Sequence, residues 1–459
     1  MSKKRENADE GEVFKPLLEE SGEGKVIWKD GSENDVEFSI KFNQNGHTQG
    51  NLEYLNISDS GNLIKHLDEG HPFVFIGKDS HDEEFTAEHC FTTRQTQSWG
   101  ESFSASAEIA INKLKYPDKP ISEKSQGLSL RFWIVNMSKT FRVFIDTELG
   151  QLSIRHFKDM DRLESLMKNY QMPLLTSVIH LEIPKEKVTT VSETIKKAKT
   201  LVENFLKITR LSQTSWHSMV AIDAFDRNGD DKTPRVYFEI LSAKTKVPHS
   251  LGLTNMAHAS YFLNSAWKGY SEETDEKYGF TYALEWYVDS WGSSILETKF
   301  LCLTTAFELL LEKFHAYNDS EKLLSDEKFR EFREKVKENF SNVLKDMDVN
   351  SETRSLMYNG ISAMQRRSYL DKAKMLLDYW KIKYDDVGTT LEEIISVRNE
   401  LTHRGRFKPE EEDSADELLR MYKGLFSIIT RIFLVMLNYD GKYIEFGKWI
   451  EDIADIRTT

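Results

Sequence analysis

The sequence predicts an α+β protein of several domains, in which a β-rich N-terminal region precedes an all-helical bundle. Runs such as Val36–Phe42 and Leu128–Val135 alternate apolar and polar residues, which is typical of strands that bury one face. After about Leu251 the apolar residues recur with the period of an amphipathic helix. A chain of 459 residues is also longer than one ordinary core supports, so two or three domains are expected.

We predict three segments along the chain. Residues 1–12 form a flexible tail, residues 13–285 form the β-rich region, and residues 286–459 form the helical bundle. A division of the β-rich region into two subdomains is allowed near 175–190, where a strand ends at Pro184. The boundary between the β-rich region and the helical bundle rests only on a change in the period of apolar residues, so any position within 250–290 is compatible with the sequence.

The elements follow from the same patterns. Further strands are expected at about 102–111, 141–145, 152–154, 179–183, 219–222 and 235–241. Helices are expected at about 192–211, from Trp286 through 295–314 without interruption, and at 321–347, 352–384, 390–403 and 415–439. The last five form a bundle of a size normal for one domain.

Composition excludes several classes of protein. The two cysteines, Cys90 and Cys302, cannot build a disulfide framework or a cysteine-rich zinc site. The N-terminus has no apolar run typical of a secretory signal, and no stretch approaches the length needed to span a bilayer. We therefore expect a cytoplasmic protein without a membrane partner. A net charge of −14 also means that any RNA contact must use a local basic patch.

The common cofactor and hydrolase motifs are absent from the sequence. It contains no Walker A loop, dinucleotide glycine fingerprint, Gly-x-Ser-x-Gly elbow or His-Glu-x-x-His pair. We therefore expect neither a metal site nor a cofactor.

The segment around Arg398 carries the candidate site. Thr389 and Glu392 form a capping-box pattern, so a helix should begin near Thr390 and end at Gly405. Its apolar face is expected to consist of Leu391, Ile394, Ile395, Leu401 and Thr402. Arg398 is expected at the centre of that face, with Asn399 and His403 together at its edge.

Two interpretations of this pattern remain open. An arginine on a buried face needs a partner or a purpose, because an unpaired buried charge is costly. Arg398 can form a structural ion pair with an acid of the bundle, while His403 is a helix-end histidine favoured by the helix dipole. Alternatively, Arg398, Asn399 and His403 form a catalytic site.

A family resemblance favours the catalytic interpretation. Arg398-Asn399-x-x-x-His403 resembles the Arg-x4–6-His signature of HEPN domains, many of which are metal-independent ribonucleases. The predicted helix that contains Glu297 and Glu308 resembles the first bundle helix of the ApeA-like HEPN proteins of bacterial abortive infection. The β-rich region is loosely similar to the large domain that precedes HEPN in those proteins.

The resemblance implies a function and partners. It implies an anti-phage toxin that cleaves host RNA, tRNA in particular, once the β-rich region senses a phage protein. It also implies a homodimer that pairs two motifs at one site, in the cytoplasm of a bacterium. A modifiable tyrosine follows the histidine by two residues in another HEPN subgroup, and Gly405 stands there instead.

The residue types suit this chemistry. Histidine titrates near neutral pH and can act as an acid or a base on the RNA 2′-hydroxyl. Arginine can donate two hydrogen bonds to the phosphate oxygens, and Asn399 can orient either group. Arg404, Arg406 and Lys408 are candidate RNA-binding residues, although a solvated loop explains them equally well.

Two other functions compete with the nuclease. The bundle can be a non-catalytic HEPN module for dimerisation or RNA binding, with the β-rich region as the ligand- or protein-binding part. A carbohydrate- or protein-binding β-sandwich with a helical appendage is the third candidate.

Overall fold

The structure, a computed structural model, describes residues 16–55, 60–79, 82–99, 103–140, 143–170, 173–227, 235–241, 252–255, 258–347, 349–408, 413–446, 448–450 and 457. The predicted tail, 1–12, lies outside the described residues. The chain divides into two compact units, residues 1–264 and 265–459. The sequence places the corresponding boundary at 285/286, because the helical pattern is clear only from Trp286 onward.

The first unit begins with a sheet that closes on itself. Its strands are β1 (Pro16–Ile27), β2 (Glu33–Asn43), β3 (Thr48–Tyr54), β4 (Phe73–Lys78), β5 (Glu84–Trp99) and β6 (Phe103–Lys115). The strands pair in the order β3-β2-β1-β4-β5-β6, and β3 also pairs with β6. Helix α1 (Ser60–Glu69) lies between β3 and β4 in the chain. The interior is apolar, with Phe38, Phe75 and Phe85 meeting edge to face.

The same sheet continues into an open part. Its strands are β7 (Gly127–Val135), β8 (Val143–Asp146), β9 (Gln151–His156), β10 (Leu175–Pro184), β11 (Ser218–Asp226) and β12 (Arg235–Leu241), and β12 pairs with β6. The order outward is β12-β11-β7-β10-β9-β8, all antiparallel. Strand β10 runs through the 175–190 region in which two subdomains were allowed.

One long helix covers one side of the open part. Helix α2 (Met160–Tyr170) and the long α3 (Val191–Gln213) belong to this unit. Lys199 of α3 pairs with the buried Glu239 of β12 at 2.9 Å, so α3 lies against the face that carries Ile222 and Phe132. The opposite face of the open sheet carries polar and charged side chains.

The second unit is a helical bundle. Its helices are α5 (Glu272–Tyr278), α6 (Phe280–Gly292), α7 (Leu296–Tyr317), α8 (Asp326–Asp346), α9 (Ser351–Ala363), α10 (Tyr369–Tyr379), α11 (Leu391–Arg404) and α12 (Ser414–Met436), while α4 (Ala259–Gly269) crosses the division. A short hairpin, β13 (Tyr443–Glu445) with β14 (Lys448–Ile450), follows α12 and was not predicted. The predicted fold class, a β-rich region followed by helices, is confirmed.

Two predicted helices are interrupted. The expected helix at 352–384 is two helices, because Ser368 caps α10 by accepting a hydrogen bond from the Asp371 amide. The expected continuous stretch from Trp286 to Phe314 is broken at 293–295, between α6 and α7. Tyr287 of α6 stacks on Phe426 of α12, and α7 and α12 are buried along most of their length, so these three helices form the centre of the bundle.

No helix in the described part of the chain is both long and apolar enough to cross a bilayer.

Gly424 lets α12 approach the segment before α11. A Cβ at this position would overlap the methyl group of Thr389. Gly424→Ala should therefore lower the free energy of unfolding of the bundle by about 1–3 kcal/mol, the usual cost of overpacking. Urea unfolding followed by helical circular dichroism measures the change.

Gly360 provides the matched control for this substitution. It lies inside α9, and a Cβ there meets no atom within 4 Å. Gly360→Ala should stabilise the bundle by about 0.5–1 kcal/mol, since alanine is the better helix former. Equal effects of the two substitutions would contradict the close approach of α12.

Candidate functional site

Helix α11 carries the predicted site and begins with a capping box. Thr390 is the N-cap, its hydroxyl accepts from the Glu393 amide, and the Glu393 carboxylate accepts from the Thr390 amide. The predicted pair, Thr389 with Glu392, is wrong by one residue. Thr389 is instead buried beneath α12, where its hydroxyl contacts Met421.

The end of α11 agrees with the prediction. Gly405 adopts a left-handed conformation with φ of 72°, and its amide donates to the Leu401 carbonyl at 2.8 Å. His403 is therefore the residue before the last in the helix, next to carbonyl groups that lack helical partners.

The buried face of α11 differs from the predicted one. It consists of Leu391, Ile394, Val397 and Leu401. Val397 lies at one edge of this face, whereas Ile395 and Arg398 are only partly buried and Thr402 is exposed. Successive residues turn by about 100°, so this face centres on Ile394 and Leu401, and Arg398 lies roughly 50° from the centre, toward the border that Leu391 forms. The border position lets the guanidinium reach both the bundle and solvent.

Arg398 joins three helices. Its Nε donates to a carboxylate oxygen of Glu308 on α7 at 2.8 Å, and its Nη2 lies 2.7 Å from the same oxygen. Its guanidinium carbon lies 5.7 Å from the ring centre of Tyr369 on α10. Both members of the ion pair remain about one-third exposed, at 31% and 37%, so the pair contributes about 1 kcal/mol or less to stability.

One edge of the guanidinium faces away from Glu308. Its Nη1 donates to Oδ1 of Asn399 at 3.1 Å, and the Asn399 side chain is exposed. Asn399 and His403 lie one helical turn apart, and the described residues give no hydrogen bond to the exposed His403 ring. The structure thus brings Arg398 and Asn399 together, with His403 on the adjacent turn.

Tyr369 is a site residue that the sequence reasoning missed. Burial, together with the neighbouring Glu308 carboxylate, holds the pKa of its hydroxyl far above the ordinary value. Tyr369 therefore stays protonated at neutral pH and cannot serve as a base. No local pattern identifies Tyr369 or Glu308 as neighbours of Arg398, since they lie on other helices and Glu308 is 90 residues away in sequence.

The three predicted RNA-binding cations differ in their surroundings. Arg404 lies 3.4 Å from Glu400, and Lys408 pairs with Glu417 at 2.8 Å. Arg406 is exposed and has no carboxylate partner among the described residues. All three follow His403 on one short stretch of chain, which concentrates positive charge beside the helix end.

The capping box generates a pH-dependent prediction. A hydrogen bond from Arg420, followed by one from the Thr390 amide, lowers the pKa of Glu393 to about 2 from its ordinary 4.5. A lowered pKa means that the ionised carboxylate stabilises the folded state above pH 4.5, and that this stabilisation is lost as the pH falls toward 2. Glu393→Gln keeps a capping side chain but removes the charge.

The parent protein should therefore be more stable than Glu393→Gln at pH 7, by about 1 kcal/mol or less because both partners are partly exposed. Urea unfolding at a series of pH values measures this difference, which should shrink below pH 4.5. A difference that stays constant or grows as the pH falls would contradict the assigned role of Glu393.

Comparison with known proteins adds one match. No curated protein and no solved structure matches the chain significantly. One family model matches, and the matched residues lie within the helical part of the chain. Residues 273–454 match the family model of the YopA C-terminal domain, and YopA C-terminal domains are HEPN-like.

Proposed function

We propose that the protein is a metal-independent endoribonuclease whose site includes Arg398, Asn399 and His403. The arrangement of Arg398 is the observation that carries the proposal. Glu308 fixes two of its nitrogens, while the third points to exposed Asn399 at the surface of α11. A guanidinium fixed in this way is preorganised to receive a phosphate, which saves the free energy of orienting it during reaction.

The proposed reaction uses the nucleophile that RNA itself carries. His403 removes the proton of the 2′-hydroxyl, and the resulting oxygen attacks the adjacent phosphorus. Arg398 donates to the non-bridging oxygens as negative charge accumulates on them. The bond to the 5′-oxygen breaks, and that oxygen takes up a proton. The products are a 2′,3′-cyclic phosphate and a 5′-hydroxyl.

The proposed site uses two copies of the chain. One exposed histidine supplies one acid–base group, while the reaction benefits from a base for the 2′-hydroxyl and an acid for the leaving oxygen. A homodimer that brings two α11 ends together would provide both. A site assembled between copies would also be inactive whenever the copies separate or shift.

Control by the first unit completes the proposal. An always-active ribonuclease would damage its own cell, so a second domain that holds the enzyme inactive until a trigger arrives is physically sensible. The resemblance to ApeA-like proteins suggests a phage protein as the trigger and tRNA as the substrate. We include both, with an anti-phage role in the bacterial cytoplasm, as parts of the proposal.

The ion pair between Arg398 and Glu308 also supports a second candidate. A non-catalytic bundle would use this pair only to hold α11 against α7, as the structural interpretation of the sequence anticipated. In that case the first unit would carry the function. The two candidates differ in whether Arg398 affects RNA cleavage apart from stability.

Arg398→Ala and His403→Ala should each reduce RNA cleavage by at least about a hundredfold, the usual scale for a lost acid–base or charge-stabilising group. The measurement is gel analysis of total RNA after phage challenge, and of tRNA incubated with the chain purified from challenged cells. Stability should change by about 1 kcal/mol or less, since both side chains are partly or fully exposed.

Arg330→Ala and His47→Ala serve as matched controls, because both residues are exposed and neither lies on α11. Each should cleave RNA like the parent protein. Activity per chain should also rise with protein concentration over the range in which mass measurements detect dimers. Equal RNA profiles for the parent and both site variants would reject the nuclease in favour of the non-catalytic bundle.

A further inference from the structure

The open sheet of the first unit has a second face, opposite the one that α3 covers. Along β7 and β10, buried apolar residues alternate with partly exposed ones, so each strand turns every second side chain outward. Phe144, Ser153, His180 and Arg131 stand opposite one another on β8, β9, β10 and β7. We call Arg131, Phe144, Arg155 and His180 the outer face.

The outer face carries arginines whose guanidinium groups form no ion pair within 4.0 Å of a described carboxylate. Arg131 and Arg155 are exposed, and neither forms an ion pair with any described residue. Three acids lie on the same face: Glu182 pairs with Arg227 at 3.0 Å, Asp223 pairs with Arg235 at 3.0 Å and also stands opposite Arg131, and exposed Asp146 on β8 accepts a hydrogen bond from Gln151. In a protein of net charge −14, two such arginines beside a histidine suit an anionic ligand.

Flat π-surfaces accompany these charges. The Arg131 guanidinium lies 4.6 Å from the centre of the Phe225 ring, which holds it as a flat platform. The Phe144 ring is 54% exposed, although it is a large apolar side chain. Burial, with Arg155 and Arg131 nearby, lowers the pKa of His180 to about 4. His180 is therefore neutral at pH 7 and can both donate and accept hydrogen bonds.

We propose that the outer face binds single-stranded nucleic acid. Unpaired bases stack on Phe144 and on the guanidinium of Arg131, while Arg131 and Arg155 contact phosphates. Neutral His180 hydrogen-bonds to a base edge. Strands in a sheet lie about 4.8 Å apart, so Phe144 and Arg131, three strands apart, are separated by roughly 14 Å. This distance suits two or three successive nucleotides.

An acidic peptide fits the outer face less well. It would neutralise the two arginines but would leave exposed Phe144 and neutral His180 without a role. A duplex would present its phosphates but not the faces of its bases. The proposal does not depend on the nuclease, because binding at the outer face requires no cleavage.

Binding of labelled oligonucleotides to the full chain tests the proposal. Fluorescence anisotropy with an oligothymidine of about twelve nucleotides suits the size of such sites, and the DNA lacks the 2′-hydroxyl that the proposed cleavage needs. An oligouridine of the same length, with His403→Ala in every arm, shows whether RNA or DNA is preferred. Binding of either nucleic acid at the outer face supports the proposal.

Phe144→Ala and Arg155→Ala should each weaken binding by about tenfold or more, as for lost stacking or phosphate contacts. Arg131→Lys keeps the charge but removes the flat guanidinium, so it should weaken binding as well. Arg94→Ala is the matched control, since Arg94 is 75% exposed on β5, outside the outer face, and this variant should bind like the parent. The thermal unfolding of each variant checks that it folds.

Three results would overturn the proposal: parent-like binding by all the outer-face variants that fold, equally tight binding of a duplex, or displacement of the oligonucleotide by polyglutamate of matched charge.

Discussion

The ion pair between Arg398 and Glu308 fixes the group on which the proposed chemistry depends. Two nitrogens of the guanidinium lie within 2.8 Å of one carboxylate oxygen of Glu308 on α7, and Tyr369 of α10 lies beside them. Three helices must therefore keep their positions for Arg398 to point toward Asn399 and solvent. The capping box at Thr390 and the close approach of Gly424 to Thr389 set the start of α11 in turn. The geometry of the site is thus a consequence of bundle packing.

The same ion pair explains why an arginine is tolerated at the border of a buried face. An unpaired guanidinium there would lose hydration without compensation, whereas Glu308 supplies the opposite charge. In a single chain, half of an enzyme site and a purely structural ion pair look alike, because Arg398 needs Glu308 as its partner in either case. The two differ in which polar groups beside the ion pair remain available to a ligand. Arg398 directs a third nitrogen to exposed Asn399, and the exposed His403 follows one turn later. A purely structural pair has no need of these neighbours.

Much of the fold could be predicted because local patterns determine it. The alternation in β7 and the apolar stripes of α3 and α12 predicted those elements within a few residues. Strand β1 was missed because its sequence, Pro16–Ile27, contains charged and glycine residues without alternation. Its pairing with both β2 and β4 stabilises it, and such long-range contacts override local preference.

Details of the candidate site could not be predicted for the same reason, because contacts between residues distant in sequence determine them. Thr389 with Glu392 and Thr390 with Glu393 both have the capping-box spacing, so the sequence alone cannot select between the two pairs. Burial of Thr389 against Met421 selects Thr390 as the cap. Likewise the buried face centres on Ile394 and Leu401, and not on Arg398, because α7, α10 and α12 approach α11 from a direction that only the tertiary structure defines. The pairing of Glu308 with Arg398 is likewise decided by the tertiary structure and not by any local pattern.

The most direct test of the proposed function is the chemical nature of the RNA ends formed, in the presence of a metal chelator, by the chain purified from phage-challenged cells. Mass spectrometry of the fragments should find a 2′,3′-cyclic phosphate and a 5′-hydroxyl, and His403→Ala should form neither. Fragments that carry 3′-hydroxyl and 5′-phosphate ends, or cleavage that persists in His403→Ala, would contradict the account.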